Sequence, residues 1–199
     1  MAIRHNFAIK AGLAAALAMA AALSTAAPPG SPRASTSNAR PAASAPAPAQ
    51  PFALTGILRL DRPLDHGDYV WEPQGVAAGP LRIVVDVAAQ VIYVYRGGTE
   101  IGRAAILYGA NGKPTPFGSF PILQKRADHV SNLYNAPMPW MMRLTWDGVA
   151  IHGSNVRYGY GTRGCVGVPE EFAQLLFAEA KVGDRVMITE RWRTDVYPA

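Results

Sequence analysis

From Leu81 to Thr189 the chain is cut into short runs of Val, Ile, Leu and Tyr, closed by turns rich in Gly, Pro and Asp. This punctuation leaves little room for anything but a mainly β fold. Leu81 to Val87 and Val91 to Tyr95 read as strands, and Arg96-Gly97-Gly98 as the turn before a third from Ile101 to Leu107. Lys113-Pro114-Thr115-Pro116-Phe117-Gly118 breaks structure ahead of Ser119 to Gln124, and Trp146-Asp147-Gly148-Val149 carries the Asp-Gly pair of a two-residue hairpin. That hairpin sends Val149-Ala150-Ile151 back as a strand ending on His152.

One helix is expected, after Cys165. Pro169 suits its first turn, Glu170 and Glu171 complement its dipole, Phe172, Leu175 and Leu176 form its apolar stripe, and Gly183 stops it. Arg185 to Thr189 then closes as a strand. Short strands joined by tight turns around one helix indicate a β-sandwich or barrel-like core.

The front of the chain is different in kind. Residues 1–26 read as a secretory signal: Arg4 and Lys10 are its basic start, Ala11 to Leu23 its apolar stretch, and Ser24-Thr25-Ala26 its small-residue cleavage site. An uncleaved N-terminal anchor would use the same residues. Residues 27–51 are almost entirely Ala, Pro, Ser, Thr and Gly, a composition that buries too little apolar surface to offset ordering entropy, so a disordered linker is expected. Residues 52–79 form a lead-in segment in which Gly56 to Leu60 reads as a short strand and Asp65-His66-Gly67-Asp68 as a turn. Residues 80–190 are the main domain and 191–199 a tail.

The formal charge of +5 drops to +3 once Arg4 and Lys10 leave with the signal. The remaining basic residues are scattered rather than gathered in a stripe, which argues against nucleic acid as a partner. One cysteine and four scattered histidines offer no metal cluster, and no cofactor is expected. A monomer is expected.

Exported proteins usually pair their cysteines, and a chain with one cannot form an intramolecular disulfide. Cys165 is therefore either a small buried hydrophobe or a working thiol. Acyl transfer by a thiol needs a base for its proton and donors for the developing oxyanion. The segment from His152 to Cys165 can supply both: the Gly153 carbonyl is free to orient an imidazole N–H, and Gly164-Cys165 presents backbone N–H groups. Arg163 and the N-terminus of the coming helix would favour the thiolate.

The surrounding residues resemble, in several separate places, the L,D-transpeptidase (YkuD-type) catalytic domain. Ile151-His152-Gly153 is similar to its histidine motif, and Thr162-Arg163-Gly164-Cys165-Val166 to its nucleophile motif. Upstream, Lys113 to Phe120 resembles its Thr-Pro-x-Gly-x-Phe turn, and Ala136-Pro137-Met138-Pro139-Trp140-Met141 leads into the histidine strand as in some members. The likeness covers roughly residues 80 to 190. It implies an L,D-transpeptidase-like β-sandwich with Cys165 as nucleophile, His152 as proton donor and acceptor, the Gly153 carbonyl orienting it, Gly164 and Cys165 as oxyanion donors, and Thr162 steadying the loop. It further implies attack on peptidoglycan stem peptides after a diaminopimelate residue, release of D-Ala and transfer to an amine in the periplasm or cell envelope. The acceptor could be a second stem, an envelope protein or, in a hydrolase, water.

Two departures stand out: many members have His where Arg163 stands, and many have Arg or Asn where this chain has Gly167. The second removes a side chain that could hold a substrate carboxylate and keeps open a catalytically silent peptidoglycan-binding module. Arg163, Thr162, Tyr134 and Arg143 are the candidate substrate-binding residues. His129, like Tyr134, could line a groove ahead of the histidine strand but reads as part of a polar loop, and Trp71, Trp140, Trp146 and Trp192 could suggest a sugar-stacking surface but, scattered singly, read as core or edge packing without function.

Overall fold

A computed structural model describes residues 53–110, 112–132 and 134–192. The expected signal, the whole of the linker and most of the tail lie outside the described residues. Ten strands and one helix are present among those described. Strands β1 (Tyr69–Trp71), β2 (Leu81–Asp86), β3 (Val91–Arg96), β4 (Thr99–Ala105), β5 (Gly118–Pro121) and β10 (Arg185–Thr189) form one sheet in the order β1-β4-β3-β2-β10-β5. Strands β6 (Gln124–Arg126), β7 (Met141–Arg143), β8 (Ala150–Ser154) and β9 (Val166–Pro169) form a second, in sequence order. Helix α1 (Glu170–Glu179) follows β9 directly and packs against β8 and β9.

The core lies between the sheets and under the helix. Ile83, Val85, Ile92, Val94 and Ile101 from the first sheet meet Met142, Ile151, Val166 and Val168 from the second, with Phe172, Ala173 and Leu176 of α1, all buried. Full burial of side chains of this size stabilises the fold by roughly 1.5–3 kcal/mol each. The Trp71 and Phe172 rings meet edge-on at 5.5 Å, so the lead-in segment contributes β1 and a core aromatic to the domain.

Several expectations need correcting. Gly56 makes only an isolated bridge to Thr99 and no strand forms over Gly56 to Leu60. Glu100 instead accepts from the Leu58 amide and Arg103 donates to the Leu58 carbonyl, holding this stretch beside β4 by side chains. Ser119 to Gln124 is two strands, β5 and β6, in different sheets, because Ile122 turns into the core between them. The Asp-Gly pair is not the centre of a two-residue hairpin. Gly148 N–H donates to the Thr145 carbonyl, placing Trp146-Asp147 at the tip, while Thr145 Oγ1 accepts from Val149 N–H. His152 is central in β8 rather than at its end. Leu175 is 36% exposed, and the buried face of α1 is Phe172, Ala173 and Leu176. The helix ends before Gly183, where Ala180 turns extended; Gly183 belongs to the turn into β10.

One topological choice positions everything that follows. β8 and β9 run parallel, with Ile151 opposite Val166 and His152 opposite Gly167. A parallel neighbour cannot be reached by a tight hairpin, so residues 155–165 make an irregular crossover. That crossover is tied down where Ala110 N–H donates to the Thr162 carbonyl and Thr162 N–H to the Tyr108 carbonyl.

Candidate active site

The parallel register extends backward by one residue, which sets Cys165 beside Ala150. Side chains alternate along a strand, so Ile151, Val166 and Val168 turn into the core while Ala150, His152, Cys165 and Gly167 share the opposite face. Cys165 and His152 thus stand two positions apart along neighbouring strands, about 7 Å along and about 5 Å across. Both open into one cavity of about 810 Å³, lined also by Lys113, His129, Tyr134, Arg143, Trp146 and Arg163.

His152 is buried, and its Nδ1 lies 2.9 Å from the Gly153 carbonyl oxygen. A carbonyl can only accept, so Nδ1 carries the proton and Nε2 keeps its lone pair. Burial, the largest influence, and the neighbouring His129 hold the imidazole below the usual histidine range, against the opposing pull of the Gly153 bond. The resting ring is neutral and able to accept a proton.

The half-buried Cys165 Sγ is 3.4 Å from the Gly148 carbonyl, to which the thiol donates, and the Ala150 N–H donates back to the sulfur. Burial pushes the thiol up; the Ala150 amide, Lys113 and Arg143 oppose it, and burial prevails. Sequence reasoning expected a thiolate favoured by Arg163 and the helix N-terminus. Instead β9 separates Cys165 from α1, Arg163 is exposed with its guanidinium 4.8 Å over the Tyr134 ring, and the cations that act on the sulfur are Lys113 and Arg143. The resting thiol is neutral.

The Cys165 backbone is held from two sides. Thr162 Oγ1 donates to the Cys165 carbonyl, and Thr115 Oγ1 approaches it at 3.5 Å while accepting from Gly109 N–H. Thr115 thereby ties the Pro-rich turn to the crossover. Gly164 takes φ +97°, a left-handed conformation that suits glycine. Among the described residues neither Gly164 nor Cys165 gives its amide N–H to a backbone carbonyl.

Arg143, on β7, binds Gln124 Oε1 through Nε at 3.3 Å, with its guanidinium at the cavity. Lys113 was not among the site residues expected from sequence, and His129, weighed as groove-lining but read as part of a polar loop, does line the cavity. Nothing local marks them: Lys113 precedes a turn and His129 sits in a polar loop, and only the folding of both onto the β8 face brings them in. Trp140 and Trp71 do pack as expected of scattered tryptophans, Trp140 against Phe177 at 5.6 Å, but Trp146 is 73% exposed at the cavity. Among the described residues no three His, Cys, Asp or Glu side chains converge as a metal site.

Known proteins share the fold that carries this site. The L,D-transpeptidase 1 proteins of two Mycobacterium tuberculosis strains are each 24% identical over 122 residues, covering 53% of this chain and 49% of theirs. The chain thus spans about half the length of these curated relatives. The fold is shared with an L,D-transpeptidase from Mycobacterium smegmatis (23% identity, TM-score 0.51, 55% of this chain and 58% of that one). It is shared also with one from Stackebrandtia nassauensis (22%, 0.53, 58% of each). An LD transpeptidase solved in complex with imipenem matches likewise (24%, 0.52, 55% of this chain and 58% of that one). Residues 80–188, more than half of the chain, match the model of the L,D-transpeptidase catalytic domain. This chain therefore belongs to the YkuD family of L,D-transpeptidase catalytic domains.

Proposed function

We propose that this chain is an exported L,D-transpeptidase working in the cell envelope through a Cys165 thioester on peptidoglycan stem peptides. The observation that carries the reading is the juxtaposition of Cys165 and His152 on one face of β8–β9, with His152 Nδ1–H committed to Gly153 so that Nε2 faces the chemistry. In the first half-reaction Nε2 takes the thiol proton as Sγ attacks the carbonyl of the third stem residue. The C–N bond to D-Ala then breaks, and His152-H⁺ protonates the leaving amine. In the second, an amine attacks the thioester carbonyl, His152 takes its proton, and Sγ leaves and is reprotonated.

Gly164 and Cys165 amides stabilise the oxyanion that forms in each half. Because the resting thiol is neutral, deprotonation is coupled to attack, and Lys113 and Arg143 lower its cost as charge builds on sulfur. Arg143, Tyr134, Arg163 and Thr162 line the path of the stem. A second stem, an envelope protein amine or water all suit this thioester as acceptor. The test is intact mass after incubation with imipenem: a single adduct on the wild type, absent from Cys165→Ala, is expected. An unmodified wild type would favour a silent peptidoglycan-binding module.

A further inference from the structure

We infer that Trp146 is a sugar-binding subsite that takes the amino-sugar disaccharide from which the stem peptide hangs; this rests on the reading of Cys165 as a stem-peptide nucleophile. Trp146 sits at the tip of the β7–β8 turn, 73% exposed, at the cavity rim with Tyr134 on the same lining. Its exposure has no structural explanation in the turn itself. Thr145 Oγ1 caps the Val149 amide, Gly148 closes the turn on the Thr145 carbonyl, and neither bond uses the indole. A large apolar ring kept in water beside a cavity is a surface waiting for a partner with an apolar face.

The distance of that surface from Cys165 is bounded. The Gly148 carbonyl at the base of the turn accepts from Cys165 Sγ at 3.4 Å. One residue, Asp147, separates Gly148 from Trp146, a span of at most roughly 7 Å, to which the indole adds its own length. A stem attacked at its third residue has three residues between the reacting carbonyl and the sugar, roughly 10–11 Å when extended. A sugar at the far end of the stem therefore falls within the reach of the indole. The group arriving at Trp146 is then a pyranose, whose axial C–H bonds stack on an aromatic face. The exposed edge of Tyr134, whose face is covered by the Arg163 guanidinium, would bound the same opening.

The test compares two donors, the disaccharide-tetrapeptide and the free tetrapeptide, with the full chain as wild type, Trp146→Ala and Trp146→Phe, reading D-Ala release. Trp146→Ala should lose about tenfold in kcat/KM on the disaccharide donor, chiefly through KM, and nothing on the free tetrapeptide. Trp146→Phe should retain most of the preference. Equal loss on both donors, or no loss on either, would overturn the subsite.

A second measurement stands apart from turnover. Saturation-transfer NMR of the peptide-free disaccharide should show sugar contacts with Cys165→Ala and none with Cys165→Ala/Trp146→Ala. Contacts unchanged by loss of the indole would overturn the proposal even if the protein transfers nothing. Failure of both donors to react, with contacts that depend on Trp146, would instead count against the thioester reading alone.

Discussion

His152 lies directly opposite Gly167 in the parallel register of β8 on β9, and a Cβ built on Gly167 would stand 2.9 Å from the Ser154 Cβ and 3.4 Å from that of Leu107. Gly167 is also bonded in both directions to the Leu107 backbone, at 2.8 and 2.9 Å. The position where many family members carry Arg or Asn is thus closed by its neighbours. Gly167→Ala should cost about 1–3 kcal/mol in urea unfolding. Gly167→Arg should cost more and should not raise activity, whereas adding Ser154→Gly should recover part of the lost stability. A stable, more active Gly167→Arg would show that the side chain was simply missing.

The Arg103–Glu100 pair makes a sharper stability prediction. The two side chains are 1% and 0% exposed and doubly bonded, at 2.6 and 2.7 Å, with Arg103 stacked 5.0 Å over Tyr93. Glu100→Gln leaves a buried guanidinium without its counter-charge and should cost about 3–5 kcal/mol by denaturant unfolding. Replacing both with Leu and Met should cost less than the sum of the single changes.

Lys125 of β6 donates to the carbonyls of Phe177 and Ala180 at the end of α1, a helix with no basic residue in its last turn. It also lies 4.2 Å from the Phe177 ring centroid. Lys125→Met should lower stability by about 1 kcal/mol and speed exchange of amides in the last turn of α1. Unchanged exchange there would show that water replaces the lysine without cost.

Acid and base should each lower the stability that rests on the site. His152 titrates below its ordinary value, so near pH 6.5 the unfolded chain takes up a proton that the folded one does not, and stability falls as pH drops through that region. Cys165 titrates above its ordinary 9.0, so stability falls again above about pH 9 as the unfolded thiol ionises first. His152→Gln should remove the acid-side slope and Cys165→Ala the alkaline one. At pH 7 alkylation of Cys165 by iodoacetamide should be slower than that of a free thiol; faster reaction would mean a resting thiolate.

Much of this arrangement was legible in the residues. Strands β2, β3 and β10 follow from runs of Val, Ile and Leu, with Gly97 and Gly98 in the turn after β3, and His152, Gly153 and Cys165 came from motif and spacing. What was hidden depended on pairings between distant segments. β1 is three residues long and owes its place to Ala104, Arg103 and Gly102 on β4, and no local pattern separates β5 from β6. The neutral thiol could not be read from Arg163 and a nearby helix because its cause is burial, a property of the packed crossover. Trp146 read as ordinary packing, with sugar stacking the lesser alternative, and only the turn that puts it at the tip separates it from the other tryptophans.

The central claim is that Cys165 carries the acyl group. Purified disaccharide-tetrapeptide incubated with wild type, Cys165→Ala and His152→Gln, with free D-Ala and enzyme mass followed together, tests it directly. The wild type should release D-Ala and carry a transient adduct of the stem without its last residue. His152→Gln should be slowed by at least about a hundredfold and Cys165→Ala should show neither signal. D-Ala release at the same rate from wild type and Cys165→Ala would contradict the account.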